Sequence, residues 1–257
     1  MYKRQEVLEK GILDFRISHK FGDLAGDNGG FHSLYGFDNV SDIRIAFEYG
    51  YSDKLMLALG RSKGVINTEL FDGLIKYKIM TQSKKNPLSM SFLSSVYVTT
   101  IQKSSIENTL NNYNNFKERF SYFHQLIMAS KLSERIIVSV APFYNFRQLV
   151  FDTDRNNLFG LTFGGRIRTS KTLAILFDYN YVTNQKDRKF TTNSSQNAWG
   201  IGLEIDTGSH TFYLNLSNSK GVVENEFIPY TSSKTMDGQF RLGFTISRPF
   251  KLHQKRF

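Results

Sequence analysis

Ser94 and His124 are the residues of this 257-residue chain whose types and spacing most suggest covalent chemistry. Both fall on the apolar side of alternating segments that we predict to be adjacent antiparallel strands. A register that pairs Val98 with Phe120 puts them directly opposite each other, and a histidine at that distance can deprotonate a serine for attack on an ester. No Asn or Asp stands at matching parity on the next strand, Ile136–Tyr144, to orient the histidine. We therefore expect a simple hydrogen-bonded pair and keep ester hydrolysis as the alternative.

Three other side chains, His19, His32 and Asp38, lie on or beside the longest predicted loop, Phe21–Ser41. Nitrogen and oxygen ligands of this kind can hold a divalent metal. The glycines of the loop equally allow it to fold back, with these side chains satisfying backbone groups. We favour this second interpretation and expect neither a metal nor a cofactor. The absence of cysteine excludes disulfides, thiolate metal sites and cysteine nucleophiles.

Alternation of apolar and polar residues along the whole chain predicts the strands that position these groups. In the segment DIRIAFEYG (42–50), for example, Ile43, Ile45 and Phe47 face one way and the charged residues face the other. About twelve segments of roughly ten residues show this pattern. No stretch keeps a helical period over three turns, and no apolar run approaches the roughly 20 residues of a membrane-spanning helix.

The connections between these strands alternate strictly in length. Long connections, such as Phe21–Ser41 and Ser217–Asp237, follow short ones, such as Tyr51–Asp53 and Asp206–Ser209. This order places all long loops at one end of a barrel and all tight turns at the other, as in transmembrane barrels. The sequence therefore predicts an all-β fold: a closed antiparallel up-and-down transmembrane β-barrel of about 12 strands.

The two faces of the strands indicate which side of the barrel meets lipid. The apolar face is bulky and nearly uniform, as a surface in contact with outer-membrane lipid would be, whereas the opposite face mixes charged with small residues and suits a lumen. We predict the following lumen charges: Arg16, Asp42, Arg44, Glu48, Lys76, Lys78, Arg166, Arg168, Asp178, Glu204 and Arg241.

A net charge of +10, from 33 Lys and Arg against 23 Asp and Glu, invites a nucleic-acid hypothesis. The basic residues are scattered among acidic ones and form no stripe, so we expect no nucleic acid as a partner. Solvated turns or attraction to anionic headgroups explain the excess more simply.

The first five residues, MYKRQ, resemble a cloning scar or a truncated start, so we assign residues 1–5 to a non-native or truncated start and residues 6–257 to a single barrel domain. No apolar segment with a cleavage site follows the basic start. Because an outer-membrane protein needs such a signal, we expect the signal peptide to be missing from this chain.

Several stretches resemble an uncharacterised outer-membrane β-barrel family of Gram-negative envelopes, a domain of unknown function. They include ISHKFGD, GGFHSLYGFDN, FEYGYSDKLMLALGRS, FDGLIKYK, LEIDTGSHTFYLNLSNSKG and GFTISRPF, which together span nearly the whole chain. The resemblance implies an outer-membrane barrel and supplies no catalytic residues.

The most economical hypothesis is an outer-membrane barrel that forms a narrow channel or a binding barrel for small solutes and is not an enzyme. Twelve strands lie between filled barrels and open porins, so we expect a plug and assign it to the Phe21–Ser41 loop. Two alternatives stay open: a lipid hydrolase at the lipid-facing pair Ser94 and His124, and a structural barrel that binds an envelope protein.

Overall fold

A computed structural model describes residues 6–106, 109–183, 185, 188–190 and 193–252 of the chain. Within them, twelve long strands form the wall of a barrel and a two-residue pair of strands, β10 (Lys189–Phe190) and β11 (Asn193–Ser194), forms a separate hairpin. The wall consists of β1 (Ile12–Phe21), β2 (Val40–Gly50), β3 (Leu55–Ser62), β4 (Leu70–Met80), β5 (Ser89–Thr99), β6 (Phe120–Lys131), β7 (Ile136–Arg147), β8 (Asn157–Arg168), β9 (Leu173–Val182), β12 (Ala198–Asp206), β13 (Thr211–Ser217) and β14 (Arg241–Lys251).

Every wall strand pairs antiparallel with its neighbours along the chain, and β14 pairs with β1 to close the barrel. The closed antiparallel barrel of twelve strands predicted from the sequence is confirmed. Closure leaves no strand edge without a hydrogen-bonded neighbour, which is the condition for placing a sheet in hydrocarbon. Among the residues that the structure describes, no helix is long and apolar enough to cross a membrane.

The apolar side chains of the strands point outward, as predicted. Phe47 is 50% exposed and Leu59 is 71% exposed, whereas Asp42 and Ala46, on the opposite face, are fully buried. The period of two in the sequence thus separates a lipid-facing surface from a lumen lined by polar and small residues.

The long loops lie at one end of the barrel and the short turns at the other. The last long loop holds a helix, α1 (Glu224–Tyr230), and all seven of its residues are buried. The Phe21–Ser41 loop instead exposes its bulky side chains, among them Phe31 and Leu34. The assignment of the plug to that loop is therefore wrong: the segment that enters the lumen belongs to the loop between β13 and β14.

Candidate functional site

Ion pairs within a strand and across the wall line the middle of the lumen. Arg16 Nε lies 2.7 Å from Asp14 and 3.4 Å from Glu48, and Arg44 donates two hydrogen bonds to the Asp72 carboxylate at 2.9 and 2.5 Å. Another such pair joins Arg166 and Glu204 at 2.9 Å. Because each arginine has a carboxylate partner within reach, these side chains place charge in the lumen without leaving these arginines unpaired.

The other predicted lumen charges lie closer to the two ends. Lys76 donates to the backbone oxygen of Glu6 at 2.6 Å, Lys78 is half-buried, and Arg168 is exposed at the rim of the short-turn end. Asp42, Asp178 and Arg241 are buried toward the long-loop end. The rim position makes Arg168 a residue of the mouth rather than of the lumen interior.

The helix α1 fills the long-loop half of the lumen and acts as a plug. Phe227 and Ile228 pack in one apolar cluster with Phe123, Phe143 and Leu158 from the wall. Seven residues with Pro229 near the end make a helix that is marginal in water, so its stability depends on this packing. The few apolar side chains on the lumen face of β5 to β8 therefore form the surface against which the plug packs.

Glu226 fixes α1 to the loop between β3 and β4. Its carboxylate accepts hydrogen bonds from the backbone N–H groups of Val65, Ile66 and Asn67 at 3.1, 2.9 and 2.9 Å. Burial raises the pKa of Glu226 to about 7, and the nearby Asp42 carboxylate adds to the rise, while the three N–H donors oppose it.

Asp42 ties the same two segments together a second time. One of its oxygens accepts from the N–H of Gly64 at 2.9 Å and the other from the N–H of Val222, just before α1, at 2.8 Å. We call the contacts of Glu226 and Asp42 with these backbone groups the carboxylate latch. Tyr230, at the end of α1, is close enough for the Glu226 charge to act on its hydroxyl group.

The far end of α1 is held by a buried cluster of charges. Asp154 lies 2.8 Å from Arg147 and 2.7 Å from Arg188. Arg188 also donates to the backbone oxygen of Pro229 at 3.0 Å, and Arg147 lies over the ring of Tyr230. Burial alone would raise the pKa of Asp154, but the hydrogen bonds and charges of the two arginines outweigh it and lower that pKa.

A cavity of about 240 Å³ lies in the lumen between α1 and the backbone of residues 6–8. We call it the chamber. Leu93, Val223 and Phe227 form an apolar part of its wall. Its charged lining consists of Glu6, Arg16, Arg44, Glu48, Asp72, Lys76, Glu204 and Glu224. A space of this size admits several water molecules or a small solute.

Ser94 and His124 form the pair that the predicted register requires. They stand opposite each other on β5 and β6, and Ser94 Oγ lies 3.0 Å from His124 Nδ1. The imidazole is flanked by the rings of Phe92 and Tyr144 on the lipid-facing side. Within the described part of the chain, no carboxylate or amide side chain is hydrogen-bonded to His124 to orient it for proton transfer.

The loop residues proposed as alternative metal ligands do not converge. His19 faces lipid, where its ring contacts Phe21 and stacks on Phe244, whereas His32 and Asp38 are exposed on the loop. No group of three or more acidic or histidine side chains with metal-binding geometry occurs among the described residues.

Comparisons with known proteins agree with the fold. No curated protein matches the chain in sequence. The solved structure titled KdgM porin aligns with 93% of this chain and 99% of its own at a TM-score of 0.55 and 11% identity. The COG4313 outer membrane channel from Pseudomonas putida F1 aligns with 97% of this chain and 99% of its own, at a TM-score of 0.49 and 16% identity.

A comparison of the sequence with protein-family models identifies the family. Residues 3–250 match the family described as membrane bound beta barrel domain (DUF5777). This match confirms the resemblance and, together with the apolar outer surface, the predicted location in the outer membrane. The chain belongs to this family of membrane-bound β-barrel domains.

Proposed function

We propose that the barrel is a narrow, plugged passage for small hydrophilic solutes, in which solute binds in the chamber and crosses when α1 leaves the lumen. The observation that carries the proposal is the position of α1, buried in the lumen directly beside a charged chamber. A barrel kept only as a scaffold would not need a charged cavity beside an apolar plug.

The chamber favours a small hydrophilic solute. Its volume of about 240 Å³ is below the roughly 300–1,000 Å³ of drug-sized sites. Both acidic and basic side chains line it, and Arg16 and Arg44 are each paired with a carboxylate, so an ion of either sign meets repulsion as well as attraction. A neutral or zwitterionic solute can hydrogen-bond to both kinds of group without that cost.

Two features indicate that the plug can leave the lumen. It is a short helix of marginal intrinsic stability, and only non-covalent contacts, apolar packing and polar contacts at each end, hold it in the lumen. A porin shares the fold at low sequence identity, which is consistent with passage.

Removal of the plug tests the proposal. A variant in which residues 222–230 are replaced by a short Gly-Ser linker should form stable conducting pores in planar bilayers, and it should make liposomes permeable to small sugars and amino acids. The matched control replaces residues 83–86, an exposed turn at the opposite end of the barrel, by the same kind of linker and should behave as the unmodified barrel. If the plug-deleted barrel inserts fully but stays electrically silent and impermeable, the proposal is wrong.

A lipid hydrolase is the second candidate function, and the 3.0 Å contact between Ser94 and His124 favours it. The lack of an orienting partner for His124 leads us to expect no release of fatty acid from phospholipid vesicles. The test compares the unmodified barrel with Ser94→Ala and with Ser95→Ala, whose side chain faces the lumen. Hydrolysis lost in Ser94→Ala and kept in Ser95→Ala would establish the enzyme instead.

A further inference from the structure

The first long loop presents a cluster of large apolar side chains to its surroundings. Phe31 is 85% exposed, Leu34 is 54% exposed, Tyr35 is 49% exposed and Phe37 is 48% exposed. We call these four residues the apolar crest. Single exposed apolar residues are normal, but four in seven positions of one loop indicate a contact surface.

The backbone of the crest is strained. Leu34 and Tyr35 adopt φ values of 45° and 54° in succession, a left-handed conformation that disfavours bulky residues. Such conformations cost free energy and persist where the surrounding structure compensates. Because both side chains are half-exposed, burial within the barrel offsets little of this cost.

The crest lies at the level where β1 ends and does not project far above the barrel. The N–H of Gly22 donates to the backbone oxygens of Gly36 and Asn39 at 2.9 and 2.8 Å, so the loop folds back onto the end of the strand. A Cβ atom on Gly36 would lie 2.7 Å from the carbonyl carbon of Gly22, which shows how closely the two backbones approach.

The crest continues the lipid-facing surface of the wall. The ring centroids of Phe37 and Phe21 are 4.7 Å apart, and Phe21 in turn lies 6.0 Å from Phe244 on β14. Phe21 shares its strand face with the outward-pointing Phe15 and Ile17. An uninterrupted aromatic path therefore leads from the barrel wall to the loop.

We infer that the apolar crest docks on the lipid surface at the long-loop end and inserts into the membrane interface as an additional anchor. Aromatic and aliphatic side chains at strand ends favour the interface between the lipid headgroups and the hydrocarbon. Residues 21–43 contain no Lys or Arg, and Asp27 and Asp38 are exposed nearby, so the attraction is apolar and does not depend on anionic headgroups. Contact with lipid supplies the compensation that the strained backbone requires.

A tryptophan probe tests the inference. Trp199 is the one tryptophan of the chain, so Phe31→Trp in a Trp199→Phe background reports on the crest alone. The full barrel is reconstituted in phosphatidylcholine vesicles with and without bromine atoms on the upper part of the acyl chains. The control probe is Met236→Trp in the same background, because Met236 is 94% exposed on the last long loop.

We expect the Phe31→Trp probe to emit at shorter wavelength than the Met236→Trp probe and to be quenched by the brominated lipid. Emission typical of tryptophan in water, with no quenching, would overturn the inference. A blue-shifted emission that brominated lipid leaves unquenched would also overturn it, because the crest would then be covered by protein, such as a second copy of the chain. Neither outcome depends on whether the barrel conducts.

Discussion

Glu226→Ala should free the plug by removing the larger part of the carboxylate latch. The substitution leaves the backbone N–H groups of Val65, Ile66 and Asn67 without their acceptor. An unsatisfied buried donor costs about 1–3 kcal/mol, and we take the lower figure because water can enter the vacated space. Three donors give about 3 kcal/mol, which corresponds to roughly a 100-fold rise in the ratio of displaced to docked plug.

Single-channel recording in planar bilayers at pH 6 measures this ratio as the time spent conducting. The control is Glu134→Ala, which removes a carboxylate from an exposed turn far from the plug and should conduct as the unmodified barrel does. If Glu226→Ala inserts normally and its open time equals that of the unmodified barrel, then Glu226 does not hold the plug.

Three further outcomes follow from the structure. In the docked plug, burial and the nearby Asp42 carboxylate raise the pKa of Glu226 from 4.5 to about 7. The docked state therefore binds more protons than the displaced state, and docking weakens as the pH rises from about 4.5 to 7. Open time should thus be longer at pH 8 than at pH 5, and Glu226→Gln should reduce this dependence while the buried Asp42 carboxylate stays in the latch; a flat profile in the unmodified barrel would contradict it. Ile45→Arg, on the lipid-facing surface, should lower the free energy of unfolding in vesicles by about 2–4 kcal/mol, whereas Ile45→Leu should change it little. Arg44→Met should cost about 3–5 kcal/mol in a urea titration because it leaves the carboxylate of Asp72 buried without its partner, and an unchanged midpoint would refute that role.

The wall of the barrel is predictable from sequence because its signal is local. Ile43, Ile45 and Phe47 reveal the strand and its outer face by their spacing alone. The opposition of Ser94 and His124 follows from the parity of one hairpin, and the structure confirms it. Each of these inferences needs only residues close together in the chain.

The plug is not predictable in the same way. The helix α1 has seven residues, fewer than the three turns over which a helical period can be recognised. The partners of Glu226 lie 159–161 residues away in sequence, and nothing local indicates that they present three N–H groups. The available signal was composition: Val222, Val223, Phe227 and Ile228 make the last loop unusually apolar for a solvent-exposed connection.

The plug was assigned to the first loop because its glycines allow the loop to fold back, but they do not indicate whether it folds into the lumen or away from it. Glycine permits a loop to fold inward or outward, and apolar side chains decide between the two according to what they meet. The large apolar side chains of this loop, Phe31, Leu34, Tyr35 and Phe37, are exposed, and α1 already occupies the long-loop half of the lumen.

The most direct test of the account is a reversible lock on the plug. Asn225 on α1 donates to Ser121 on β6 at 3.0 Å, and the chain has no cysteine of its own. With Asn225→Cys and Ser121→Cys placed in the Glu226→Ala barrel, single-channel recording compares the oxidised and the reduced protein. We predict that the disulfide-locked barrel is silent and that reduction restores conducting events. Equal conductance in both states would show that passage of solute does not require the displacement of α1, and it would refute the proposed plugged passage.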